Sequence, residues 1–161
     1  MAVRNDNPDS QLDARSIITA RLIDAPRELV FDAWSNPDHL ACWWGPIGFT
    51  TTTSSFDTRP GGVWRFVMHG PDGRDYQNRI TYAEIVEPER IVYRDGGGDD
   101  VEPVQFETTV VFEELGGKTR LVWTGKFPTA NQRTEAIKNY GADKGLAQTM
   151  ARLAEFVEAA S

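Results

Sequence analysis

The sequence predicts an α+β fold in which a curved antiparallel sheet of seven strands wraps around a long C-terminal helix, with two short helices between the first and second strands. Three observations carry that expectation. From Phe49 to Thr124 apolar and polar residues alternate with a period of two, broken at short intervals by turn residues. From about Asn131 to Ala160 apolar residues instead recur one helical turn apart. Between a first β-branched segment and the alternating region lie two stretches that carry helix start and stop signals. Packing consecutive strands on one long helix buries all of these apolar faces together.

In chain order, residues 1–15 are polar and aperiodic and read as a flexible lead-in, with a single domain over residues 16–161. Ile17 to Ile23 is β-branched and reads as a strand. Ala25-Pro26-Arg27-Glu28 then starts a helix with Pro at its first position, and Leu29, Val30, Ala33 and Trp34 form its buried face. The next stretch, Asn36-Pro37-Asp38-His39-Leu40-Ala41-Cys42-Trp43-Trp44-Gly45-Pro46, organises the rest. Asn36 caps a helix, Pro37 suits its first turn, Asp38 complements the dipole, and Gly45-Pro46 ends it. Adjacent helical residues point about 100° apart, so Trp43 and Trp44 enter different environments, one in a core and one facing a cavity or solvent.

The strands follow in turn. Phe49 to Arg59 is Thr/Ser-rich and β-prone, and the glycines of Pro60-Gly61-Gly62 supply the positive φ of a tight corner. Val63 to His69 carries Trp64, Phe66 and Met68 on one face, and Pro71-Asp72-Gly73 turns the chain into Tyr76 to Val86. After the corner Glu87-Pro88-Glu89, Arg90 to Arg94 forms a strand ending in a glycine-rich loop, Asp95 to Asp100. Val104 to Glu113 buries Val104, Phe106, Thr108, Val110 and Phe112, and a Gly116-Gly117-Lys118 hairpin leads to Thr119 to Thr124, with Leu121 and Trp123 facing as Thr119 does. The final helix aligns Tyr140, Ala147, Met150, Leu153, Ala154 and Val157 in one stripe, and Gly141 and Gly145 interrupt it where its first third kinks or separates.

Composition narrows the function. At 161 residues with a formal net charge of -7 and no Lys/Arg cluster, the chain argues against nucleic-acid or anionic-membrane surfaces. No apolar run marks a signal peptide or membrane insertion, and Cys42 has no second cysteine to pair with, so a cytoplasmic location is inferred. His39 and His69 lack neighbours at ligand spacing, so neither a metal site nor a cofactor is expected. Cys42 reads as a small buried hydrophobe, and the Asp95 to Asp100 run, lacking the alternating ligands of a calcium loop, as a solvated turn.

The motifs APRELVFDAW (25–34), NPDHLACWWGP (36–46), RPGGVWRFVMHGPDG (59–73), EIVEPERIVY (84–93) and GADKGLAQTMARLAEFV (141–157) together carry a resemblance. The chain resembles bacterial single-domain proteins related to the C-terminal domain of the activator of heat shock protein 90 ATPase. These belong to the START and birch-pollen-allergen-like helix-grip superfamily, also called SRPBCC.

That resemblance implies an apolar cavity between sheet and C-terminal helix. It implies that Trp43 and Trp44 stand at the cavity end, that Trp64, Phe66, Met68, Phe106, Thr108 and Trp123 line its concave wall, and that Met150 faces it from the helix. Leu146 replaces a tryptophan frequent in similar sequences, which enlarges the expected pocket. Polar candidates for the cavity are Tyr82, Glu84, Gln105 and Tyr140. A buried Glu84 would serve as an acid or base; a rim position would leave it ordinary.

Any one of these aromatics also fits plain core packing, but five Trp, eight Phe and four Tyr together favour a lined pocket. The reading preferred is binding of a small apolar or aromatic ligand, lipid-like or polyketide-like. The alternatives are a cyclase- or hydratase-like enzyme using the same cavity, and a chaperone-interaction module of the stress response. A homodimer through an edge strand is left open.

Overall fold

The computed structural model describes residues 14–96 and 106–160. Within them the chain runs β1 (Ser16–Ile23), α1 (Arg27–Ser35), α2 (Pro37–Trp43), β2 (Thr50–Phe56), β3 (Val63–His69), β4 (Asp75–Val86), β5 (Arg90–Gly96), β6 (Phe106–Leu115), β7 (Lys118–Lys126), α3 (Ala130–Tyr140) and α4 (Ala142–Ala160). The strands form one seven-stranded sheet in the order β1-β7-β6-β5-β4-β3-β2, antiparallel throughout. β2 to β7 meander, and β1 returns to pair with β7, so β1 and β2 are the edges. Among the described residues, no helix is long and apolar enough to cross a membrane.

The period-two pattern places one residue set on the concave face. Trp64, Phe66, Ile80, Tyr82, Ile91, Tyr93, Val110, Phe112, Leu121 and Trp123 are all buried there against Val30, Phe31, Trp34, Leu40 and Trp43 of the short helices and Met150, Leu153, Ala154 and Val157 of α4. The corner before β3 is welded to β4: the Gly61 amide donates to the Tyr82 carbonyl at 2.7 Å, and the Tyr82 amide to the Gly62 carbonyl at 2.9 Å. A Cβ on Gly62 would lie 2.1 Å from the Asp57 carbonyl oxygen, so that position takes glycine for close approach, while Gly61 has the positive φ of 85°.

The start of α2 forms as its sequence dictates. Asn36 Oδ1 accepts from the Asp38 amide at 2.9 Å, and Pro37 occupies the first turn. Pro26, expected inside α1, is instead its extended N-cap residue, and Phe31 joins the buried face of that helix. Of the lead-in, residues 1–13 lie outside the described part, whereas Arg15 is tied down by its Nε–H to the Phe127 carbonyl at 3.2 Å.

The first third of the C-terminal helix is separate, as the glycines allow, and the long helix is α4; other expectations need correction. Gly141 ends α3 in the left-handed conformation at φ 62°, donating its amide to the Ala136 and Ile137 carbonyls, and α4 starts at the next residue; Gly145 continues inside α4 without a break. Ala147 is exposed and Leu146, one turn before Met150 on the same stripe of α4, packs against the core in its place. Cys42 is exposed rather than buried, its thiol turned back to the Asp38 carbonyl. β5 continues through Asp95 and Gly96, so Asp95 belongs to the sheet and not to a loop. Residues 97–105, which include Val104, Gln105 and the remainder of the glycine-rich segment, lie outside the described residues.

Candidate functional site

α1 and α2 deliver an aromatic cluster to one end of the concave face. Trp34 meets Trp43, Trp44 and Trp123 with ring centroids 5.0, 5.7 and 4.9 Å away, all edge to face. Trp43 is completely buried and its indole N–H donates to the Ala33 carbonyl at 3.1 Å, which locks it into the core behind this cluster. Trp44 leaves the helix in the other direction. Its ring meets Trp64 at 4.9 Å and Phe66 at 5.9 Å, and its outer side faces open space.

The chain around Trp44 is held from α4. The Arg152 guanidinium faces five backbone carbonyls, those of Cys42, Trp44, Gly45, Pro46 and Phe49, closest to Gly45 at 2.8 Å and Pro46 at 3.1 Å. Carbonyls left over at the end of α2 thereby gain a charged donor. Nothing in the local pattern around Arg152 announced this role, since it lies off the apolar stripe.

Two cavities adjoin between the concave face and α4. The outer one, a cleft of about 240 Å³, is walled by Trp44, Gly45 and Pro46, by Phe66, Met68, Asn78, Asp95 and Trp123 from the sheet, and by Gly141, Ala142, Gly145, Leu146 and Thr149 from the helix. The second, about 130 Å³ and more enclosed, is walled by Ile17, Tyr93, Phe106, Thr108, Gly125 and Phe127. Trp44, Asp95, Trp123, Ala142 and Leu146 border both. A separate surface cleft of about 320 Å³ carries Arg15, Arg94 and Lys126 and touches the second cavity through the stacked rings of Phe106 and Phe127, 4.8 Å apart.

The structure thus brings together Trp44, Phe66, Met68, Phe106, Thr108 and Trp123 of the expected wall. It withdraws four others. Trp43 lies in the core; Trp64 stacks on Phe66 at 3.9 Å with its N–H donated to Thr53 Oγ1, one layer behind the wall. Tyr82 packs between Phe56 and Tyr93, and Met150, the residue after Thr149, is turned into the core and lines neither cavity. Tyr140 ends α3 with its side chain outside the described part of the structure, as is all of Gln105. Glu84 is a surface residue whose carboxylate accepts from Arg90 at 2.8 Å, a hydrogen bond that lowers its pKa, so it plays no part in the cavity.

Apart from Thr108, the polar content of the walls comes from residues that pattern reading placed elsewhere or missed. Asp95 borders both cavities, and burial pushes its carboxyl up to about 7. No cation among the described residues lines either cavity. Tyr93, fully enclosed, is raised well above an ordinary phenol by burial and then by the charge of Asp95, against smaller opposing effects of Thr108 and Trp123. The Thr108 hydroxyl approaches Tyr93 without closing a hydrogen bond of normal geometry and has no partner among the described residues, although Thr108 has no solvent exposure. The period-two pattern of β5, extended from Ile91 and Tyr93, points to Asp95; assigning it to a glycine-rich loop hid that signal.

Away from the cavities, His39 sits 3.4 Å from Asp32, and His69 lies 2.8 Å from Asp75 and 2.9 Å from Thr52 Oγ1. Among the described residues, no group of three or more His, Cys, Asp or Glu side chains is arranged to hold a metal ion.

An open antiparallel sheet gripping a C-terminal helix, with an aromatic-walled cavity between them, defines a helix-grip domain of the SRPBCC superfamily. More narrowly, the chain belongs to the family described as Activator of Hsp90 ATPase homolog 1-like protein, whose model matches residues 24–158. Its fold recurs in solved bacterial structures. A protein from Arthrobacter aurescens is 24% identical, with 91% of this chain and 88% of that one covered and a TM-score of 0.84. One from Mycobacterium smegmatis is 25% identical, covering 93% and 95%, with a TM-score of 0.82. One from Chromobacterium violaceum is 28% identical, covering 89% and 97%, with a TM-score of 0.79. No protein with a curated description matches the chain in sequence.

Proposed function

We propose that the protein binds a small, compact apolar or aromatic molecule in the paired cavities between the sheet and α4. One observation carries this reading: two adjoining spaces of about 240 and 130 Å³ are walled chiefly by aromatic and aliphatic side chains, with a few polar groups among them. Their combined size reaches the lower end of the roughly 300–1,000 Å³ in which small molecules are held. That favours a ring compound over a long acyl chain. Membership of a superfamily that commonly binds hydrophobic ligands supports it. A chaperone-docking role would call for aromatic residues on an outward face, yet all five tryptophans are buried around the cavity or behind it.

The test is native mass spectrometry of freshly purified protein, with extraction and identification of whatever leaves on denaturation. A co-purifying apolar molecule, or a thermal shift with members of an aromatic panel, supports the reading. A clean apo mass with no shift from lipids or aromatics refutes it.

Asp95 favours an enzymatic variant of the same reading. A carboxyl pushed up to about 7 inside a cavity is poised to exchange protons with a bound substrate near neutral pH. Turnover of a polyketide-like substrate, if found, would be lost in Asp95→Asn; turnover that survived the change would assign the chemistry elsewhere.

A further inference from the structure

We infer that Asp95 and Thr108 form a polar anchor at the junction of the two cavities, which selects a small aromatic ligand bearing a hydrogen-bonding group, above all a hydroxyl, over a plain hydrocarbon. The inference rests on the binding reading given above and names the ligand class.

The geometry comes from the sheet. Asp95 pairs with Phe106 and Tyr93 with Thr108 across β5 and β6, so Asp95 and Thr108 are diagonal neighbours on one face. Side chains so placed start roughly 7 Å apart at their backbones and lean within reach of one bound group. The Thr108 hydroxyl has no partner among the described residues and lies just beneath the wall of the more enclosed cavity, with no solvent exposure, so a ligand meets it once the side chains over it shift aside. A buried unpaired hydroxyl costs free energy that a ligand's polar atom would recover. Asp95 borders the same cavity, and no cation lining it offsets the carboxylate.

Around this pair the walls are apolar. Facing Asp95 are Tyr93 on its own strand, Asn78 from β4, Trp123 from β7, and Ala142 and Leu146 from α4. Tyr93 is the other ionisable group among them, and its raised pKa keeps it neutral throughout the test below. Asp95 alone therefore changes charge near neutrality. Ionised, it accepts from a ligand hydroxyl in a charge-assisted bond. Protonated, it donates to a ligand carbonyl.

The experiment is calorimetric titration of the full chain with 2-naphthol, 2-acetylnaphthalene and naphthalene between pH 5.5 and 8.5. The expected result is a crossing: affinity for 2-naphthol rises about tenfold with pH and that for 2-acetylnaphthalene falls about as much, while naphthalene stays weak and flat. Asp95→Asn should flatten both profiles. Thr108→Val, which keeps the shape and removes the hydroxyl, should weaken the two polar ligands several-fold and spare naphthalene. Equal, pH-independent binding of all three would overturn the anchor while leaving the apolar pocket standing. Binding of none, together with an empty native mass, would overturn the pocket and the anchor with it.

Discussion

Replacing Asp95 by Asn should stabilise the protein above neutral pH and change little near pH 4. The sign follows from the carboxyl's two environments: its pKa is 3.8 in the unfolded chain and about 7 in the folded one. Below about pH 4 both states hold the proton and the group is neutral to stability. Between there and about 7 the unfolded chain loses its proton first, so stability falls as pH rises. Above 7 the penalty is constant, up to about 4 kcal/mol, lessened by whatever solvent reaches the carboxylate through the cavity. Urea denaturation of both variants at pH 4, 5.5 and 8 reads this directly; a gap that did not widen with pH would mean that Asp95 is solvated. At this scale the sequence was only partly readable. The division between Trp43 and Trp44 followed from helical geometry alone. For Asp95 the alternation from Ile91 and Tyr93 was present in the sequence, but the glycines after it resemble a loop, and it is strand pairing that shows the alternation continues past Tyr93.

Elements are joined here by one cation. Arg152 lies on α4 but its guanidinium serves the carbonyls that follow α2, fixing the segment from which Trp44 projects. Arg152→Met keeps much of the aliphatic stem and removes the donors, leaving partly buried carbonyls unpaired. A loss of about 2–3 kcal/mol in urea denaturation is expected, with a weaker response of the intrinsic tryptophan fluorescence to ligand. Arg152→Lys should recover only part of it, since one ammonium cannot present the fork whose two nitrogens reach Cys42 on one side and Gly45 and Pro46 on the other. Full recovery by Lys would show that charge alone matters. Strand and helix identities were readable because period and capping are local: Asn36, Pro37 and the glycine corners behaved as their chemistry requires. The split between α3 and α4 was readable only as a place, Gly141 or Gly145. Which glycine breaks the helix depends on α4 packing close to Pro46, where Gly145 leaves room, and that contact is tertiary.

For the molecule as a whole, the question is whether the space between sheet and helix is a site or a packing fault, and Leu146 decides it. Leu146 borders both cavities, on the face of α4 turned to Trp44 and Trp123. Leu146→Trp adds roughly 60 Å³ of side chain at close-packed density, enough to fill about half of the 130 Å³ cavity and narrow the junction. If the space is an accident of packing, filling it gains dispersion contacts and the urea midpoint rises, with no other consequence. If it is a binding site, the midpoint is again unchanged or higher, but affinity for a bicyclic aromatic probe falls at least about tenfold, because the indole occupies the ligand's place. The variant separates stability from binding, which a charged substitution in the same wall would not, since burying an unpaired charge unfolds the domain in either case. Undiminished binding with a raised midpoint would place the ligand outside this interior.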